Sequence, residues 1–134
     1  MITPGTTTIR VMIIDDHPLF NDGLATMLAT KDSIEVVGQV YHSHSAIEAV
    51  SKARPDVAII DYSMPGIDGL ELSKMLLKEH PNLKILILSM YGEIHFIQEF
   101  REHGIKAYLV KTANIPQMLE AIQSINQGHT YFRP

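Results

Sequence analysis

A chain of 134 residues with 46% hydrophobic and 19% charged residues has the size and composition of one ordinary globular domain, able to bury a core without disulfides or a structural metal. It contains no cysteine, which excludes a disulfide framework and any thiolate metal or redox centre and makes a cytoplasmic setting the expected one. The net charge of −4, with Lys and Arg scattered and no segment suited to span a bilayer, argues against nucleic-acid binding by this chain alone and against a membrane partner.

Residues 1–8, "MITPGTTT", lack the basic start and apolar run of a secretory signal and read as a disordered lead-in. "IRVMII" at 9–14 is a short, largely continuous apolar run, as a parallel strand buried on both faces should be, and it ends in Asp15-Asp16. A helix follows over 17–30, with Pro18 in its first turn and an apolar face of Leu19, Phe20, Leu24, Met27 and Leu28. "IEVVGQV" at 34–40 is a more mixed strand, suited to a place near the sheet edge.

The second helix opens at the capping box "SAIE" (45–48), with Ser43 as a competing cap, and Pro55 blocks its extension. "VAII" at 57–60 delivers Asp61 to the loop "YSMPGIDG", and a helix over 70–79 ends before Pro81. "KILIL" at 84–88 ends in Ser89, and a helix over 93–103 closes at Gly104, a good left-handed cap. "AYLV" at 107–110 leads into Lys111; the last helix starts after Asn114, repeats Leu119, Ile122 and Ile125, and ends at Gly128.

Five alternations of strand and helix predict an α/β domain with a parallel sheet and right-handed crossovers, whose site forms at the carboxyl ends of the strands. With the first, third, fourth and fifth strands side by side, Asp15, Asp16, Asp61, Ser89 and Lys111 share one pocket. Two carboxylates ~4 Å apart repel by about 4 kcal/mol at an effective dielectric of ~20, so such a cluster protonates or recruits a cation. Oxygen donors beside solvent suit Mg²⁺, which keeps several waters and leaves room for a phosphoryl oxygen; without Cys or a His pair at ligand spacing, zinc is the poorer choice. A carboxylate held beside such an ion is a competent nucleophile toward phosphorus, with the Lys111 ammonium and the Ser89 hydroxyl as donors to the phosphoryl oxygens.

Taken singly, each residue has a plainer reading. Asp15 or Asp16 can cap the first helix, Asp61 can be a turn residue, and Ser89 and Lys111 can be solvated loop groups; the functional argument lies in their conjunction at four strand ends. The seven histidines, His17 among them, share no ligand spacing and read as surface or loop groups. The methionines read as core filler, with Met64 and Met90 as possible pocket-rim residues; Phe20, Leu24, Phe96, Ile97 and Phe100 read as helix-face residues buried within the chain.

"IIDDHP", "IIDYSMPGIDG", "ILSM" and "AYLVKT" stand in the order and rough spacing of the motifs of receiver domains in bacterial two-component response regulators. The chain resembles that family from about Arg10 onward, most closely the receivers that precede a LuxR-type helix-turn-helix domain, through "DDHPLF", "MPGIDGLEL" and "INQGHTYFRP". The resemblance implies a flavodoxin-like, doubly wound (βα)5 fold with a five-stranded parallel sheet in the order 2-1-3-4-5, the receiver spanning 9–128 and residues 129–134 starting a linker. It implies that Asp61 is the phosphoacceptor, that Asp15 and Asp16 bind Mg²⁺ with Asp61 and the Ser63 carbonyl, that Ser89 bonds the phosphoryl group and that Lys111 pairs with it. Tyr108 matches the switch aromatic. The implied partners are a histidine kinase or phosphotransfer protein and a second copy, through the first and fifth helices or the face of the fourth and fifth strands and helices. DNA is reached only through a C-terminal domain absent from this chain.

Thr112 stands where many receivers have a Pro in a cis peptide, which Thr makes costlier; Met90 is larger than the usual residue after the hydroxyl, and Tyr91 is placed to overhang the pocket mouth. Competing classes fit less well. A haloacid-dehalogenase-type phosphohydrolase needs Asp-x-Asp on one strand end, which neither "DDHPL" nor "DYSMP" supplies, and a flavin site needs a hydroxyl- and Gly-rich loop where Asp15-Asp16 stands. A receiver-like module that binds without phosphorylation is the remaining alternative.

Overall fold

The continuous apolar runs become the middle of a sheet because only a strand covered on both faces can bury every side chain it carries. In the computed structural model, which describes residues 8–90 and 94–132, these runs are β1 (Ile9–Ile14), β3 (Val57–Asp61), β4 (Lys84–Ser89) and β5 (Ala107–Val110). The mixed strand β2 (Ile34–Val40) lies at one edge, as its composition predicts, with Glu35 and Gln39 exposed. The helices are α1 (Pro18–Ala29), α2 (Ser43–Ala53), α3 (Gly69–Glu79), α4 (Ile97–Glu102) and α5 (Ile115–Asn126).

All sheet pairings are parallel, and the order is β2-β1-β3-β4-β5-β6. The five-strand expectation is corrected by β6 (Tyr131–Phe132), within the stretch read as linker. After Gly128 reverses the chain at φ 96, Tyr131 donates its N–H to the Lys106 carbonyl at 2.8 Å and buries its ring, an addition too short to show a strand period in sequence.

Side-chain alternation splits the core in two. Val11, Ile13, Val57 and Ile59 pack with Leu24, Leu28, Met118 and Ile122 from α1 and α5, while Met12, Ile14, Ala58 and Ile60 pack with Val50, Leu72, Leu76 and Phe100 from α2, α3 and α4. Burying a Leu or Ile side chain is worth about 1.5–3 kcal/mol, so both layers hold the strand ends rigidly.

Three helical expectations are corrected. Leu19 and Met27, placed on the apolar face of the first helix, are 90% and 50% exposed; the buried stripe is Asn21, Leu24, Ala25 and Leu28, with Phe20 partly covered. The second helix starts at Ser43, with His42 at the N-cap and no side-chain cap, so Ser45 lies inside its first turn and no capping box forms; Ser43 Oγ donates to the Pro65 carbonyl at 3.3 Å instead. The fourth helix is a 3₁₀ turn, Ile94–Phe96, followed by Ile97–Glu102, and it closes at Gly104 with φ 86 as expected. The expected helix start at Glu93, the position of Tyr91 and residues 1–7 of the lead-in lie outside the described residues.

Asp68 caps α3 by accepting from the Glu71 N–H at 2.8 Å, and Asn114 caps α5 by accepting from the Gln117 N–H at 2.9 Å. Among the described residues no peptide bond is cis, so Lys111–Thr112 is trans. No helix among them is long and apolar enough to cross a membrane.

Candidate functional site

The register brings the carboxylates together. Ile14 pairs with Ile60, so Asp15 and Asp61 stand one step further along neighbouring strands, and Asp61 itself pairs with Leu88. Asn21, fully buried in α1, fastens this edge by donating from Nδ2 to the carbonyls of Asp15 and Val40, each at 3.0 Å. On the other side Gly69 donates its N–H to the Tyr62 carbonyl at 2.8 Å; a Cβ there would sit 2.6 Å from the Asp61 carbonyl oxygen. Only a residue without a side chain lets α3 begin so close behind Asp61.

Asp15 and Asp61 are 1% and 2% exposed. Lys111, from the loop after β5, brings its Nζ to 2.9 Å from Asp15 Oδ2 and 3.4 Å from Asp61 Oδ2, with its charge also lying over the Phe20 ring. Asp15 Oδ1 accepts from the His17 N–H at 2.9 Å, and Asp61 Oδ1 accepts from the Ser63 N–H at 3.4 Å. Burial, and then the Asp15 charge, push the Asp61 carboxyl up to about 6, against the opposing pull of Lys111 and the Ser63 N–H.

The donor set fits a divalent cation. Asp15 Oδ2, Asp16 Oδ1 and Asp61 Oδ2 are buried with no hydrogen-bond partner, so beyond the Lys111 charge these oxygens lack the directional contacts that buried carboxylates require. Asp15, Asp16, His17 and Asp61 each offer one ligand atom, all within 4.8 Å of one another.

Ser89 is buried at the end of β4, and its carbonyl accepts from the Lys111 N–H at 2.8 Å, which joins the two strand ends expected to meet. Ser63 lies exposed on the loop past Asp61. Tyr108 is apart from the acidic cluster, fully buried on β5 opposite Ile87, with its ring centroid 5.8 Å from that of Phe100. Met90 is 58% exposed and lines a cleft with Leu19, Phe20, Lys111 and Thr112 at the mouth of the site, whereas Met64 is a core residue.

The residue that sequence reasoning missed is His17. Read as a surface or loop group, it places Nδ1 3.0 Å from Asp15 Oδ1, 3.5 Å from both Asp16 Oδ1 and Asp61 Oδ2, and 2.9 Å from Lys111 Nζ. Ligand spacing along the chain does not reveal it, because Asp61 and Lys111, which surround it together with the adjacent Asp15 and Asp16, come from other strand ends. The available signal was its position: the residue between a strand-end acidic pair and a Pro-initiated helix takes the extended N-cap conformation, here φ −92 and ψ 101.

Comparison with known proteins identifies the family of the chain. A family model described as response regulator receiver domain matches residues 11–123. The response regulator GacA of Pseudomonas viridiflava is 35% identical over 126 residues, covering 94% of this chain and 59% of GacA. The transcriptional regulatory protein DegU of Brevibacillus brevis is 33% identical, covering 94% of this chain and 53% of DegU. The chain thus spans between half and two-thirds of the length of these relatives. Among solved structures, a LuxR-family two-component response regulator from Aurantimonas superposes with a TM-score of 0.89 at 25% identity, over 96% of this chain and 91% of that one. The isolated receiver domain of RcsB from Salmonella enterica serovar Typhimurium, solved with the phosphomimetic BeF3−, gives 0.85 at 26% identity, over 95% and 94%.

Proposed function

Since this chain belongs to the response regulator receiver domain family, whose members act in phosphorylation-dependent two-component signalling, we propose that Asp61 is its phosphoacceptor. The observation that carries the reading is the convergence of Asp15, Asp61 and Lys111, from three strand ends, within 3.4 Å of the Lys111 ammonium. A structural ion pair needs one carboxylate; a second buried carboxylate beside it raises the energy of the resting state and suits a site that receives charge and counter-charge.

In this reading a carboxylate oxygen of Asp61 attacks phosphorus as the bond from phosphorus to the donor's imidazole nitrogen breaks, leaving the phosphoryl group on Asp61 and the electron pair on the donor. Lys111 and the Ser89 hydroxyl donate to the phosphoryl oxygens, and the rigid β3 strand holds the nucleophile in line. Asp15, Asp16, Asp61 and the Ser63 carbonyl would hold Mg²⁺, which when bound neutralises the charge of the incoming group. Family receivers take their phosphoryl group from histidine kinases, and a histidine kinase or phosphotransfer protein is the proposed donor here.

The signal would leave through Ser89 and Tyr108, which stand on adjacent strands beside α4; the inward Tyr108 ring fills the space under Phe100. Pairing with a second copy, a DNA-binding domain following residues 129–134 and a cytoplasmic setting complete the proposal, supported by the regulators this chain resembles.

Intact mass after incubation with acetyl phosphate, in Mg²⁺ and in EDTA, tests it. One phosphoryl group gained in Mg²⁺ and lost in EDTA and in Asp61→Asn is expected; no gain from acetyl phosphate or from phosphorylated kinases would favour a module that binds without phosphorylation.

A further inference from the structure

We propose that His17 supplies the acidic site with a nitrogen ligand, which raises its affinity for transition-metal divalent ions such as Co²⁺, Ni²⁺ and Zn²⁺ relative to Mg²⁺. The inference rests on the reading of the site as a divalent-cation site and concerns which ion that site selects.

His17 is the N-cap of α1, and its extended backbone turns the ring back over the ends of β1 and β3. Nδ1 lies 3.0 Å from Asp15 Oδ1 and 3.5 Å from Asp16 Oδ1 and Asp61 Oδ2. Neighbouring ligand atoms around one small ion are about 3.0 Å apart in an octahedron with bonds of ~2.1 Å, and about 3.3 Å apart in a tetrahedron with bonds of ~2.0 Å. The nitrogen therefore stands at ligand-to-ligand separation from all three carboxylates.

Asp16 Oδ1 and Asp61 Oδ2, the two oxygens that Nδ1 faces at 3.5 Å, are buried and lack hydrogen-bond partners. They point into the same small space as the imidazole nitrogen without being satisfied by it.

The contacts of Nδ1 also oppose one another. An ammonium has only donors, so Lys111 Nζ at 2.9 Å is a favourable neighbour only when Nδ1 carries its lone pair. Asp15 Oδ1 at 3.0 Å is a favourable neighbour only when Nδ1 carries hydrogen. In either tautomer one contact is adverse; an ion that accepts electron pairs from Nδ1 and the carboxylates removes the lone-pair clash between Nδ1 and Asp15, while the Lys111 ammonium, left without an acceptor at Nδ1, keeps Asp15 Oδ2 at 2.9 Å as its partner. Imidazole is a good ligand for Co²⁺, Ni²⁺ and Zn²⁺, while Mg²⁺ takes oxygen, so the nitrogen changes selectivity as well as denticity.

Chelator-treated full chain, titrated calorimetrically with Mg²⁺ alone and with Co²⁺ alone, tests the inference in wild type, His17→Asn and Asp61→Asn; Asn keeps a good N-cap. The Co²⁺-to-Mg²⁺ affinity ratio is expected to fall by about tenfold or more in His17→Asn. Pulsed electron paramagnetic resonance of the Mn²⁺-loaded chain is expected to show imidazole nitrogen coupling that His17→Asn abolishes. An unchanged ratio with no nitrogen coupling, while wild type binds Mg²⁺ in an Asp61-dependent way, would overturn this inference alone. Failure of wild type to bind either ion would overturn it together with the metal reading of the site.

Discussion

Lys111 Nζ lies 2.9 Å from Asp15 Oδ2, an ion pair that ties the loop after β5 to the end of β1 across the two intervening strands. The same ammonium stands 3.4 Å from Asp61 and opposes the rise of its pKa. Replacing Lys111 with Met is therefore expected to push the Asp61 carboxyl above its present value of about 6, read by carboxyl carbon NMR against pH, and to cost roughly 1–3 kcal/mol of stability without divalent ions. An unmoved Asp61 titration would show that Lys111 does not act on it.

Asp61 carries a pH signature of its own. Its carboxyl titrates near 6 in the folded chain against the ordinary 3.8, so between those values the folded state holds more protons than the unfolded state. Stability then falls as pH rises through the window and stays lowered above it. Without divalent ions, Asp61→Asn is expected to exceed wild type by about 1–3 kcal/mol at pH ~7.5 and to lose that advantage near pH ~4. Thermal melts at both values check the sign, and a pH-independent difference contradicts it.

Saturating Mg²⁺ should narrow the gap. An ion present at ~100 times its dissociation constant stabilises the state it binds by about 2.7 kcal/mol, and wild type has the carboxylate that the Asn variant lacks. Melting temperatures with and without Mg²⁺ should rise more in wild type than in Asp61→Asn; equal shifts would place the ion elsewhere.

Gly69→Ala would put a methyl group 2.6 Å from the Asp61 carbonyl oxygen and 2.8 Å from Tyr62 Cα, both backbone atoms with little room to yield. A loss of about 1–3 kcal/mol in urea denaturation is expected, together with slower phosphorylation, because the shift falls on the nucleophile's own backbone.

Asn21→Ala removes two donors from the Asp15 and Val40 carbonyls inside the core, with an expected cost of about 1–3 kcal/mol. Its effect on metal affinity should follow, since Asp15 would lose the contact that fixes its backbone; an unchanged affinity would show that the strand register alone positions it.

The central fold was legible because β1, β3, β4 and β5 are apolar on both faces and each ends abruptly in a polar residue, so one run gives both the strand and the site residue. Asp15, Asp61 and Lys111 meet as the strand pattern requires. What escaped depends on contacts between separated segments. Tyr131 and Phe132 become a strand only because β5 offers a free edge, and Leu19 is apolar yet exposed because it sits at the site mouth, outside the stripe that α1 turns to the sheet. His17 is the clearest case: its meaning comes from Asp61 and Lys111, far from it in sequence and adjacent only after folding.

The most direct measurement is the chemical position of the phosphoryl group. After treatment with acetyl phosphate and Mg²⁺, borohydride reduction converts an aspartyl phosphate to homoserine, and peptide mass spectrometry locates it. Homoserine at position 61 alone is the predicted result; phosphorylation that maps to Asp15, Asp16, a hydroxyl or a histidine, with residue 61 unaltered, would contradict it.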